Sequence, residues 1–201
     1  MEGVAVRGDT RVSEEYRVGE DGKFPLAYAE ELAGRVVARL APLTVRQLVV
    51  GSVRRKKEWV RDVEVVVEPR VEPAGLFGDA TLNTLTVVEG VLAMGRKLRA
   101  GERYVQVEDA LGSGMKLDVF LVHPPATWGV TVALRTGSAE WNMAVLERMR
   151  GRMVKMEDGR LTGDRGQWIA TPTEGAVFRA AGMRCVDPEE REVQWFDRAC
   201  L

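Results

Sequence analysis

Asp62 and Glu64 lie one residue apart in DVEVVV, a valine run that otherwise reads as a buried strand. Acids are depleted in strands, and a buried carboxylate without a partner is costly, so something nearby must compensate the charge. Side chains alternate along a strand, which projects both acids from one face. A third acid, Asp118, sits inside another strand-like segment, MKLDVFLV, and can converge with them. Three such carboxylates repel one another, and a divalent cation relieves that repulsion. Oxygen ligation without His or Cys favours magnesium or manganese over zinc. The same alternation also suits a half-exposed strand whose acids face water.

The turn upstream, GSVRRKK, supplies complementary chemistry. Gly51 lets the backbone approach a ligand, Ser52 offers a hydroxyl, and Arg54 and Arg55 carry guanidinium forks matched to phosphate. A metal-binding acid pair shortly after such a cradle is what a magnesium–triphosphate site requires, because the metal bridges phosphate oxygens while cations neutralise the rest.

The elements that must position these residues follow from periodicity. Leu26, Ala29, Leu32, Ala33, Val36, Val37 and Leu40 share one helical face between Pro25 and Pro42. TVRQLVV and DVEVVV read as strands flanking the basic turn, and TLNTLTVVEGVLAM as a helix. RYVQVED and MKLDVFLV form a hairpin across ALGSG, HPPATWG reads as a break, and Ser138 is the expected N-cap of a helix bearing Trp141, Val145, Leu146 and Met149. Asp158-Gly159 suits a tight hairpin turn. Helix starts are expected at Thr171-Pro172-Thr173-Glu174 and Asp187-Pro188-Glu189-Glu190. The fold class is α+β.

With 201 residues, 45% of them hydrophobic, the chain can form one sizeable domain or two small ones. The formal net charge of -1 announces no nucleic-acid partner, so any such partner must be met by a local patch. Two cysteines and one histidine make neither a zinc constellation nor a disulfide framework. No apolar leader or membrane-length segment is read, which sets the expectation of a soluble cytoplasmic protein. His123, Cys185 and the five tryptophans are expected to pack.

GSVRRKKEWVRDVEVVV resembles the nucleotidyltransferase signature of the family X DNA polymerases: Gly-Ser, paired arginines, then two acids one residue apart on a strand. MKLDVFLV resembles the strand bearing the third acid, LRTGSAEWN the segment lining the nucleotide sugar, and TEGAVFRAAGMRCVDPEERE the C-terminal end of that family. The likeness runs in order from about Pro25 to the C-terminus. It implies a palm with a mixed β-sheet over residues 25–125, after a lead-in over 1–24, and a small thumb-like helix and hairpin domain over 126–201. It implies that Asp62 and Glu64 hold two Mg2+ ions, with Mn2+ an accepted substitute, and that Asp118 holds the catalytic ion beside a primer hydroxyl. Gly51, Ser52, Arg55, Arg61, Thr136, Gly137, Ser138 and Asn142 would contact the nucleotide. Glu64 replaces a more usual aspartate, Arg61 a small residue, Leu134 and Arg135 an aromatic pair, and Leu146 an arginine that probes the template strand. These departures bear on sugar selection and template dependence, and the two side chains at 134 and 135, read as flexible, imply weak rejection of ribonucleotides.

The implied activity is DNA-directed DNA polymerisation from nucleoside triphosphates on primer-template or gapped DNA, in a repair setting, by a monomer. The alternative is a nucleotidyltransferase that modifies a small molecule, tRNA or protein. A binding module with a decayed site is disfavoured because the three acids and the cradle are all present. Thr44 to Arg61 carries six Arg or Lys against one acid, and Arg148, Arg150, Arg152 and Lys155 cluster later, so a near-neutral chain can still present a basic channel to DNA.

Overall fold

The structure is a computed structural model and describes residue 19, residues 21–72 and residues 81–201. Most of the lead-in read over 1–24, and residues 73–80, lie outside the described residues.

A two-residue strand, β1 (Phe24–Pro25), feeds helix α1 (Leu26–Leu40). Leu32, Ala33, Val36 and Leu40 on its apolar face are buried, as the spacing predicts. Strand β2 (Thr44–Val49) follows a 3-10 turn over Ala41–Leu43. The basic turn is a single helical turn, α2 (Gly51–Arg54), which leads to β3 (Trp59–Val60), paired with β1, and to β4 (Asp62–Pro69). Strands β5 (Val71–Glu72) and β6 (Thr81–Leu82) pair antiparallel, and Asn83 then caps α3 (Thr84–Leu92) by accepting from the Thr86 amide at 3.2 Å. Strands β7 (Arg96–Ala100), β8 (Tyr104–Glu108) and β9 (Lys116–Leu121) complete a five-stranded sheet of order β2-β4-β9-β8-β7.

That sheet is mixed, because β4 and β9 run parallel while every other pair is antiparallel. Its alternation explains DVEVVV. Val63, Val65 and Val67 bury beneath α1 and α3 with Leu117, Val119, Val105 and Val107, each side chain contributing about 1.5–3 kcal/mol. Asp62, Glu64 and Val66 take the other face. Val66 belongs there to a small cluster with Val50, Phe120, Val122 and Val132.

Helix α4 (Trp128–Thr136) begins inside HPPATWG, which reads as a break, and no helix is expected there from the sequence. Thr, Val and Trp are weak helix formers, and the helix stands because Val130, Val132 and Ala133 are buried. Ser138 then caps α5 (Ala139–Gly151), its Oγ accepting from the Trp141 amide at 3.2 Å. Strands β10 (Lys155–Glu157), β11 (Arg160–Thr162) and β12 (Trp168–Ile169) form a small antiparallel sheet. Asp158 and Gly159 both take positive φ, 50° and 76°, in the tight turn between β10 and β11. Helices α6 (Glu174–Ala180) and α7 (Phe196–Ala199) end the chain, around a 3-10 turn at Pro188–Glu190 where a helix start was expected. The cap of α6 is Thr173, not Thr171, whose hydroxyl instead pairs with that of Thr127 at 2.7 Å. A second core gathers Trp141, Val145, Met149, Leu161, Val177, Phe178 and Met183, with Trp141 edge-on to Phe178 and Phe196. Not every residue expected to pack does so, since Trp59, Trp168 and Cys185 are exposed.

Candidate active site

Parallel pairing sets Asp62 beside Lys116 and Glu64 beside Asp118 on one face of adjacent strands. Asp118 is buried, while Asp62 and Glu64 are half-buried. Burial, then the charges of Asp62 and Asp118, push Glu64 up to about 7, against a pull from Arg135 and Arg55. Asp62 is also raised, by burial first and Asp118 second. The acids therefore load one another with charge that protonation or a cation would relieve. Two of them have close neighbours of their own. The Tyr104 hydroxyl donates to Asp118 Oδ1, and the Glu64 carboxylate lies over Gly51, where a Cβ would overlap it. Among the described residues, no three of His, Cys, Asp and Glu are drawn closely enough together to enclose an ion. The oxygen-only donor set suits a hard divalent cation in kind, with its charge only partly offset by Arg135, Arg55, Lys116 and Arg61, and Asp62, Glu64 and Asp118 are the residues that would have to draw together to hold one.

Gly51 opens α2 at φ +64°, a left-handed conformation costly for any side chain. Gly51→Ala is expected to lower stability by roughly 1–2 kcal/mol through the backbone alone, more as Glu64 is displaced. Urea unfolding measures this, and a variant as stable as the wild type contradicts the close approach.

The paired arginines reach across to the second core. Arg54 makes a two-pronged ion pair with Glu174, at 2.9 and 2.7 Å, and donates to Thr136 Oγ1 at 2.7 Å. Arg55 donates to Glu192 at 3.0 Å and to the Thr136 carbonyl at 2.6 Å, while Lys57 approaches the same Glu192 oxygen at 2.7 Å. Burial opposes ionisation of Glu174 and Glu192, but hydrogen bonds from Arg54 and Arg191 in one case, and from Lys57 and Arg55 in the other, hold both below the usual carboxylate range. Both arginines read from sequence as matched to phosphate are thus held by carboxylates, Arg54 by Glu174 and Arg55 by Glu192. Ser52 is half-buried on α2, and Arg61 is exposed beside β4.

Thr136, fully buried, ends α4, and Gly137 follows where a Cβ would overlap Asn142 and Trp141. Asn142 spends its amide on the turn, donating to the carbonyls of Leu134 at 2.6 Å and Gly137 at 3.1 Å. Ser138 donates its amide to the Arg191 carbonyl at 3.1 Å. Leu134 packs against the second core, and Arg135 lies 3.9 Å from the Phe120 ring centroid. Leu134 is half-buried, while Arg135 is exposed apart from that ring contact.

Residues 131–192 match the family model of the DNA polymerase beta thumb. That stretch of the chain is similar to the thumb of the family X polymerases. A search of the curated proteins returned no match. The thumb match takes in Thr136, Gly137, Ser138, Asn142, Glu174, Arg191 and Glu192, and the three acids lie outside it.

A thumb of this type implies DNA binding, and no described helix is long and apolar enough to cross a membrane. The basic cluster read from the sequence separates within the thumb. Arg148 donates to the carbonyls of Ala181, Gly182 and Leu201, each at 3.0 Å, and so buttresses the thumb's end in place of facing solvent. Arg152 is exposed but its guanidinium rests against Gly182, while Arg150 and Lys155 are exposed. Glu174, Arg191, Glu192 and Tyr104 were not foreseen as site residues. Only Tyr104 left a signal, as an alternating position on a strand expected to pair with that of Asp118.

Proposed function

We propose that this protein is a family X-type nucleotidyltransferase that extends a primer on DNA. The primer 3′-hydroxyl gives its proton to solvent as its oxygen attacks the α-phosphorus of a nucleoside triphosphate, the bond from that phosphorus to the bridging oxygen breaks, and pyrophosphate leaves with the bonding pair. One observation carries the reading: Asp62, Glu64 and Asp118 share a face across the parallel β4–β9 pair, beside a cradle that abuts a polymerase beta-type thumb. Magnesium or manganese held by these acids would supply charge neutralisation and an activated hydroxyl. The protein's own residues do the rest. Asp62 and Glu64 orient the triphosphate end of the site, and Asp118 holds the acceptor side. Ser52 and Arg55 bind the phosphate tail, Arg55 exchanging Glu192 for phosphate oxygens. The Thr136–Ser138 turn, stiffened by Asn142, forms the floor under the sugar.

Extension of a labelled primer, with and without template and with both sugar types, tests the reading. Label on a small molecule, tRNA or protein, with none on the primer, overturns it. Affinity for DNA should fall steeply with salt, and replacing Arg150, Arg152 and Lys155 together by Ala should reduce the slope of log affinity against log salt by roughly two to three units. Arg148 is left out of that set because its loss would disturb the thumb itself. An unchanged slope removes these three residues from the DNA face.

A further inference from the structure

The hydrogen bond from Tyr104 to Asp118 is held by more than its two partners. On the β8–β9 ladder Tyr104 sits opposite Phe120 and Gln106 opposite Asp118, so Tyr104 is the diagonal neighbour of the acid. A long side chain spans that separation. The phenol ring stacks on Phe120, with centroids 5.1 Å apart and planes 18° apart. Arg135 of α4 covers the Phe120 ring at 3.9 Å, and Arg99 of β7 lies 5.7 Å from the Tyr104 centroid. Rings and guanidinium groups from four elements therefore fix the hydroxyl that reaches Asp118, itself only 6% exposed.

A carboxylate has two oxygens and turns freely about its last torsion, which is broad for Asp. A hydrogen bond to one oxygen removes that freedom and commits the other. We propose that Tyr104 is a positioning residue for Asp118, occupying Oδ1 so that Oδ2 is the oxygen available to a divalent cation. The inference rests on the reading of Asp118 as a member of a metal-binding triad. Its physical basis is that a charged acceptor gives a stronger bond than a neutral one, and that a ligand group held within a small angular range binds with less ordering cost.

Tyr104→Phe keeps the ring and its stack on Phe120 and deletes only the hydroxyl. Partners one step behind a ligand typically contribute 10–100-fold to metal affinity or activity. Titration of the nucleotide-free protein with Mn2+, followed by electron paramagnetic resonance, should therefore show roughly tenfold weaker binding in Tyr104→Phe. Under single-turnover conditions kcat should fall by a similar factor while KM for the triphosphate stays within twofold. In an Asp118→Asn background the same substitution should produce no further loss of Mn2+ affinity, because the charge it positions is gone. A Tyr104→Phe protein that binds Mn2+ as the wild type does overturns the proposal, as does an undiminished effect in the Asp118→Asn background. The Mn2+ measurements decide this even if the wild type transfers no nucleotide, a result that would defeat the functional reading separately.

Discussion

Asp118→Asn is expected to lower single-turnover nucleotidyl transfer by on the order of 10²–10³ while leaving triphosphate binding within a few-fold of the wild type. The substitution is nearly isosteric, and its amide oxygen can still accept from Tyr104, so the β8–β9 pairing should stand. What disappears is one negative charge on the side proposed for the acceptor, and removing a single preorganised electrostatic stabiliser costs about 2.7–4 kcal/mol of barrier. Triphosphate binding survives because Asp62, Glu64 and the α2 cradle stay in place. The drop should appear in kcat with KM unmoved, the pattern of an interaction made in the transition state. Rapid-quench measurement on a fixed primer-template checks it. A variant keeping most of the wild-type rate would show that the acid next to Glu64 across the parallel pair takes no part in chemistry.

The acid-bearing strands were legible because their information is local. Alternation in DVEVVV separates the faces of β4, and the turn residues around Asp158-Gly159 and the cap at Ser138 announce their own geometry. Helix α4 was hidden because its residues favour other conformations, and only burial against neighbours distant in sequence selects the helix. Strand β7 was hidden for the opposite reason. It is an exposed edge with Arg96, Lys97 and Arg99, and it offers no apolar period to read. The charge partnerships were least legible of all. Arg54 and Glu174 are 120 residues apart, and Arg55 and Glu192 are 137 apart, so no spacing rule connects them. Arg148 looked like one member of a basic run because its three carbonyl acceptors are brought to it only by the fold.

Those long-range pairs make Glu174 the acid whose loss should cost the most stability. Its carboxylate is shared by Arg54, 20% exposed in its side chain, and Arg191, 2% exposed. Arg191 otherwise donates to the Val186 carbonyl at 3.2 and 3.1 Å and lies 4.9 Å from the Phe178 ring centroid. In Glu174→Ala one buried guanidinium loses its counter-charge and another loses a two-pronged acceptor. Breaking a buried pair by deleting one partner costs roughly 3–5 kcal/mol, mostly the desolvation of the charge left behind. At this chain length that amounts to a fall in Tm of roughly 6–20 °C. The pH dependence carries a sign of its own. The Glu174 carboxyl is held below its ordinary value, so its contribution is complete above the unfolded carboxylate pKa of about 4.3 and is lost as pH falls through the lower folded value. The stability gap between wild type and Glu174→Ala should therefore be widest near neutrality and narrow below about pH 4. Urea unfolding of both proteins at neutral and acidic pH measures that gap. A difference below about 1 kcal/mol at neutral pH would mean that Arg191 finds another partner when Glu174 is removed, and that the tie between α2 and the thumb is not carried by this carboxylate.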